Sequence, residues 1–295
     1  MRIAVMGAGA VGCYFGGMLA RAGHEVMLIG RPGHVKAIRE NGLDMETRTF
    51  HERVRLSASD RAEEIVGAAL VLFCVKSPDT ERTAEAIRPF LEPDTCVLSL
   101  QNGVDNIVRL RAILGERVDP AVVYVASEMV GPGQLKHHGR GDLVLSPRSA
   151  GQRLDRLFAE AGIPVLIADD IAGAQWSKLA FNCACNALSA ITRLPYGRFL
   201  DAQGARKTMR DIVQECRAVA AAEGVFLPDD LAEGILSTME AIPDQYSSTA
   251  QDLLRGKPSE IDHLNGYVVR RGESLGIAVP LNRLLHLLVC LAESG

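Results

Sequence analysis

The chain has 295 residues, 47% of them hydrophobic, 23% charged and 5% aromatic, with a formal charge of −4 at neutral pH. That apolar share supplies a core and excludes a disordered chain, and the length fits about two domains. Split after Ala168, the first part carries 20 basic and 20 acidic residues and the second 12 and 16. Neither half has the basic surface that nucleic acid or an anionic membrane requires.

The chain opens on an uncharged run of 18 residues, Ile3 to Ala20, held between Arg2 and Arg21. Gly7, Gly9, Gly12, Gly16 and Gly17 interrupt it, so it lacks the contiguous apolar core of a signal peptide or a membrane span. Nearly continuous apolar runs predict buried parallel strands at Arg2–Met6, Glu25–Ile29, Leu70–Val75, Thr95–Leu100 and Ala121–Ala126. Between them, helical spacing predicts Val11–Ala22, His34–Glu40, Thr80–Leu91 and Asn106–Leu114. Gly139-Arg140-Gly141, flanked by Gln134–His138 and Asp142–Ser146, predicts a hairpin; a helix over Gln152–Ala161 and a last strand over Pro164–Ala168 follow. Beyond Asp170 the strand-like runs vanish. Helices are expected at Ile171–Ile191, Ala202–Glu223, Leu231–Ala241, Ser259–Leu275 and Leu281–Glu293, punctuated by proline and glycine. The expected architecture is α/β: a Rossmann-type, doubly wound sheet over residues 1–168, then an all-α domain over 169–295.

Seven cysteines, an odd number, lie largely inside apolar runs, which reads as reduced buried thiols in a cytoplasmic protein. Neither Cys183-Ala184-Cys185 nor His137-His138 has ligand spacing, so no metal site is expected, and the histidine pair reads as a surface loop. A homodimer is left open; the apolar stretch Leu284–Leu291 reads as core ahead of interface.

Gly7-Ala8-Gly9-Ala10-Val11-Gly12 is a G-x-G-x-x-G between an expected strand and an expected helix. The first glycine permits the tight turn, the second lets a pyrophosphate approach the backbone, and the third lets helix and strand pack closely. A bare match is weak, but the flanking strand and helix supply the context for dinucleotide binding. The next strand ends Leu28-Ile29-Gly30-Arg31, without the carboxylate that binds the ribose of NAD. Arg31 can pair with a 2′-phosphate, which favours NADP; alone, it could be a solvated loop arginine. Lys76 and Asn102 follow the expected third and fourth strands, where a parallel sheet places its ligands, although a solvated lysine and an Asn-Gly turn explain them as well.

On the first helix of the second half, Lys178, Asn182 and Asn186 fall within about 80° of one another. They form a polar stripe on a helix otherwise made of Ala, Leu, Phe and Cys. Such a stripe faces a cleft, finds partners or lies on the surface, because unpaired burial is costly. Facing a nicotinamide, the Lys178 ammonium could stabilise and protonate a developing alkoxide while the asparagines orient the substrate.

These residues, with Ser247-Ser248-Thr249-Ala250-Gln251-Asp252, the run from Ser259 through Glu260 to Gly266, and Gly276–Pro280, resemble the ketopantoate reductases (2-dehydropantoate 2-reductases) over essentially the whole chain. The resemblance implies NADPH-dependent reduction of ketopantoate, a small 2-oxo acid, to (R)-pantoate in pantothenate and coenzyme A biosynthesis. By it Lys178 is the general acid, and Asn102, Asn182, Asn186 and Ser248 are substrate ligands. Gly7 to Gly12, Arg31, Lys76, Asn102 and Glu260 serve the cofactor. Read alone, Glu260 could be a helix N-terminal carboxylate and Ser248 a helix cap. The chain departs from the family at Tyr196, where an asparagine is usual, and at Glu128, a carboxylate that could repel an acidic substrate. Both leave room for another 2-oxo or 3-oxo acid, and a non-catalytic NADPH sensor is a third reading. A cleft between the two domains, closing on the cofactor, is expected.

Overall fold

The computed structural model describes residues 1–294; Gly295, the last residue of the expected second domain, lies outside the described residues. The chain divides into two compact units. One comprises Met1–Gln101 with Asn106–Ile171, the other Asn102–Asp105 with the chain from Ala172 onward.

The first unit is built on a ten-stranded sheet. Strand β1 (Arg2–Met6), helix α1 (Ala10–Arg21), β2 (Glu25–Ile29) and α2 (Pro32–Asn41) come first. Three short strands follow, β3 (Leu43–Glu46), β4 (His51–Val54) and β5 (Ser57–Ser59). Then come β6 (Leu70–Phe73), α3 (Thr80–Ile87), β7 (Cys96–Ser99) and α4 (Asn106–Leu114). The unit ends with β8 (Val118–Gly131), β9 (Gln134–Leu145), α5 (Pro147–Gly151), α6 (Leu154–Glu160) and β10 (Val165–Ile167). Strands β5-β2-β1-β6-β7-β8 lie side by side and parallel. The chain winds outward from β1 through β2 and β5, then returns to β1's other side with β6. The order therefore reverses at β1, the switch point where such sheets open a ligand crevice beyond the strand ends. Both sheet faces are covered. Ile3, Val5, Leu28, Leu70 and Leu72 fill one core layer, while Ala4, Met6, Ile29, Val71 and Phe73 fill the other. Two-sided burial is why these strands read as unbroken apolar runs.

The second unit is helical: α7 (Ile171–Thr192), α8 (Tyr196–Leu200), α9 (Ala205–Ala222), α10 (Leu231–Ala241), α11 (Ser248–Leu254), α12 (Asn265–Leu275) and α13 (Pro280–Ser294). Its core gathers Trp176, Leu179, Cys183 and Ala187 of α7 with Ile212, Val213 and Val219 of α9 and Val268 of α12. Among the described residues no helix is long and apolar enough to cross a membrane.

The structure corrects several local expectations. Gly139-Arg140-Gly141 is no hairpin turn. β9 runs straight through it, and the left-handed φ of Arg140 (57°) accompanies a break in the β8–β9 register between Tyr124 and Val125. The chain turns instead at Pro132-Gly133, with Gly133 at φ 69°, the proline-then-glycine order of a type II turn. Ala121–Ala126 belongs to a 14-residue strand that is parallel to β7 only at its start and antiparallel to β9 beyond. His137-His138 lies on β9, not in a loop; His137 stacks on Tyr14 with ring centroids 4.4 Å apart. The expected helix Ser259–Leu275 is a 3-10 turn over Ile261–His263 followed by α12.

Candidate active site

In the first unit the glycine loop hangs from the end of β2: the Gly7 and Ala8 amides both donate to the Ile29 carbonyl (2.9 and 3.0 Å). Gly7 holds φ at 105°, and a Cβ there would lie 2.9 Å from the Cys74 carbonyl carbon and the Val75 nitrogen. A Cβ on Gly12 would run into the Gly7 carbonyl oxygen, so α1 can start this close to the turn only with glycine. Gly9 is the opposite case. It is exposed, nothing stands within 4 Å of where its Cβ would be, and it begins α1 without a side-chain cap. The first amides of α1 thus rise from a cradle that is open to an anion. Ala8 is buried and Ala10 and Val11 are half-buried. A Cβ on Gly30 would sit 2.5 Å from that of Ala8, so the tip of β2 also needs glycine. Arg31 follows it, exposed, at the start of α2.

Lys76 is exposed just beyond β6, on a loop set by a buried polar network. The Ser99 hydroxyl donates to Gln101 Oε1 (3.0 Å), and the Gln101 amide donates to the Val75 carbonyl (3.1 Å) and the Thr80 hydroxyl (2.7 Å). Thr80 in turn donates to Asn106 Oδ1 (2.9 Å), whose amide donates to the Ser77 hydroxyl (2.9 Å). A satisfied network of this kind fixes the loop that carries the lysine. The open cradle and the uncapped amides fit the phosphates of a dinucleotide.

The second unit carries the other group. Lys178 Nζ donates to Asn102 Oδ1 (2.8 Å), and Asn102 Nδ2 donates to Glu260 Oε2 (3.3 Å). The amide thus relays between an ammonium and a carboxylate, and the lysine is held in one orientation. Asn182 and Asn186, one and two turns further along α7, are 8% and 2% exposed, so the stripe is no ordinary surface face. Asn186 Nδ2 donates to the Ser248 hydroxyl (3.4 Å). The cap of α11 is Ser247, whose hydroxyl accepts from the Ala250 amide (3.0 Å) and donates to the Asn186 carbonyl (3.1 Å). Ser248 is left exposed beside the asparagine.

Sequence reasoning missed a second clamp beside the first. Asp105 Oδ2 meets His263 Nδ1 at 3.0 Å, with both side chains largely buried. Asp105 stands three residues after Asn102 and His263 three after Glu260, so segments 102–105 and 260–263 are held together twice at one spacing. Nothing in the local sequence signals a contact between segments this far apart. Of the two departures, Glu128 lies on β8 against His138 Nε2 (2.8 Å). Tyr196 opens α8 as a core residue, edge-on to Phe181 and Phe199, and burial pushes its phenol far up.

The profile of ketopantoate reductase PanE/ApbA matches residues 3–150, and that of its C-terminal domain matches residues 170–293. A crystal structure of a PanE/ApbA family ketopantoate reductase from Ralstonia eutropha is 60% identical, with a TM-score of 0.96 over 100% of this chain and 99% of that one. The 2-dehydropantoate 2-reductase of Caulobacter vibrioides is 32% identical over 96% of both chains. A structure of D-mandelate dehydrogenase with NADH and anilino(oxo)acetate is 29% identical with a TM-score of 0.94, covering 100% and 99%. The chain is therefore an oxidoreductase scaffold of the nicotinamide-dependent kind, and it belongs to the ketopantoate reductase family.

Proposed function

We propose that this protein reduces 2-dehydropantoate to (R)-pantoate with NADPH, residues 1–168 holding the cofactor and 169–295 supplying the substrate side chains. The observation that carries the reading is the Lys178–Asn102–Glu260 chain on the helical unit, in a family whose curated relatives are named for this reaction. When bound, the dihydronicotinamide supplies a hydride to the substrate's carbonyl carbon. Lys178 stabilises the charge that builds on the carbonyl oxygen and delivers the proton to it from Nζ. Asn102 and Glu260 hold that ammonium in place, and both serve the cofactor as well. Asn182, Asn186 and Ser248 bind the carboxylate and hydroxyl of the substrate. The amides of Ala8 to Gly12, with Lys76, hold the phosphates, and Arg31 takes the 2′-phosphate that distinguishes NADPH from NADH.

A second reading, reduction of a different 2-oxo acid, is favoured by the likeness to D-mandelate dehydrogenase over the whole chain. Glu128, paired with His138, bears on every acidic substrate alike, and the curated relatives named for 2-dehydropantoate keep ketopantoate first. Steady-state oxidation of NADPH and NADH with ketopantoate, phenylglyoxylate and other 2-oxo acids separates the readings. Highest kcat/KM with ketopantoate is expected. Preference for another acid establishes the second reading, and no turnover with any acid points to a sensor.

A further inference from the structure

Away from these residues, three side chains of different donor chemistry converge on one point of the helical unit. His286 and Cys290 stand one turn apart on α13, and Asp262 projects from the 3-10 turn Ile261–His263. Asp262 Oδ1 lies 2.6 Å from His286 Nε2, Cys290 Sγ lies 3.6 Å from the same nitrogen, and all three donor atoms fall within 4.8 Å of one another.

The arrangement is wrong for a nucleophile and its base. A thiol–imidazole–carboxylate relay uses both ring nitrogens, one toward the thiol and one toward the carboxylate. Here Asp262 and Cys290 face the same nitrogen, which cannot serve them both. One nitrogen, one sulfur and one oxygen aimed at a common centre is the pattern of chelation. Gly266 lets its helix approach that edge of the ring, since a Cβ there would lie 2.9 Å from Nε2 and 3.0 Å from Cδ2. The same point is 3.3 Å from Arg270 Nη1, whose Nη2 donates to the Asp262 carbonyl oxygen (2.8 Å), so a bound ion shares this corner with a guanidinium.

We propose that Asp262, His286 and Cys290 form a binding site for a divalent cation of the zinc class. Mixed sulfur, nitrogen and oxygen donors suit zinc and exclude the oxygen-seeking magnesium and calcium. With bonds of about 2.0 Å to nitrogen and 2.3 Å to sulfur at a tetrahedral angle, nitrogen and sulfur stand roughly 3.5 Å apart. The side chains already hold that separation. The carboxylate must move from hydrogen-bond distance to roughly 3.3 Å from the nitrogen. Asp262 can do this because its side chain is 68% exposed. Binding exchanges the thiol proton for the metal: the sulfur–hydrogen bond breaks, the proton leaves to solvent, and a sulfur–metal bond forms with no change of oxidation state. The Nε2 proton that His286 shares with Asp262 gives way as well, the neutral ring keeping its proton on Nδ1 so that the Nε2 lone pair faces the ion. Water completes the coordination. The bound ion ties the turn that follows Glu260 to α13.

Cobalt(II) titration of the purified full-length protein tests this, because a thiolate ligand gives a near-ultraviolet charge-transfer band that oxygen and nitrogen ligands do not. The expected result is a band saturating at one equivalent, displaced by Zn²⁺ but not by Mg²⁺. It should vanish in Cys290→Ser and weaken at least tenfold in apparent affinity in Asp262→Asn, with unchanged far-ultraviolet circular dichroism in both. No band, or a band that survives Cys290→Ser, overturns the site. None of the three residues belongs to the proposed reductase machinery, so turnover without added metal should be unaltered in both variants whichever 2-oxo acid is reduced.

Discussion

Lys178 shows how much a single contact determines. A free lysine head samples many rotamers, and the 2.8 Å bond to Asn102 removes most of that freedom before a substrate arrives. Positioned general acids contribute about 10²–10⁴-fold, so Lys178→Ala should lower kcat by that range while the Kd for NADPH, read by fluorescence titration, stays within about twofold. Unchanged turnover would remove Lys178 from the acid role. Arg31 makes the complementary case on the other unit. It sits exposed where NAD-binding chains carry an acid, and a charge-assisted bond to a phosphate contributes about 1.5–3 kcal/mol, or roughly 10–100-fold. Arg31→Asp should therefore shift the NADPH to NADH ratio of kcat/KM toward NADH by at least tenfold. A variant that kept the parent's ratio would refute the assignment.

The glycine turn and α1 behave as one element, and two of its glycines separate folding from binding. Gly12→Ala drives a methyl into the Gly7 carbonyl, a backbone atom that cannot step aside, and should cost about 1–3 kcal/mol or more, read as a lower Tm without ligand. Gly9→Ala meets nothing, so Tm should hold while the Kd for NADPH rises, because the new methyl occupies the cradle. Equal losses of stability in the two variants would contradict this division. The sequence made such elements legible where one pattern dominated. β1 and β2 are buried on both faces, and their apolar runs predict their bounds to the residue, just as helical spacing alone predicts the Lys178 stripe. β3, β4 and β5 carry no such pattern, because LDME, HERV and SAS are short and mostly polar. The two glycines around Arg140 imitate a turn, yet the local signal could not distinguish a hairpin from an irregularity within β9. Contacts between distant segments, Asn102 with Lys178 and Asp105 with His263, have no local signature at all.

At the scale of the whole molecule the two units share one chemical trait, a set of thiols sealed in their cores. Among the described residues every cysteine is free. Burial pushes Cys13 in the first unit from an ordinary 9.0 up to about 12, and burial aided by the Asp119 carboxylate does the same for Cys96. In the second unit burial raises Cys183 and Cys185 well above 9.0, Cys183 with help from its neighbour Cys216. Below 9.0 these thiols keep their protons whether the chain is folded or not, so they make stability no function of pH. From 9.0 to about 12 the unfolded chain releases protons that the folded chain retains, and stability must fall as pH rises. Tyr196 and Tyr267, raised from 10.0 chiefly by burial, steepen the loss further up the scale. Tm should thus be level across about pH 7–8.5 and decline from about pH 9 upward, before any arginine loses its charge. Replacing Cys13, Cys96 and Cys185 together with alanine should lower Tm at neutral pH through the lost packing yet flatten the decline between about pH 9 and 10. A parent Tm that held steady to about pH 10.5, or a triple variant with the parent's slope, would show that the buried thiols do not set the alkaline limit.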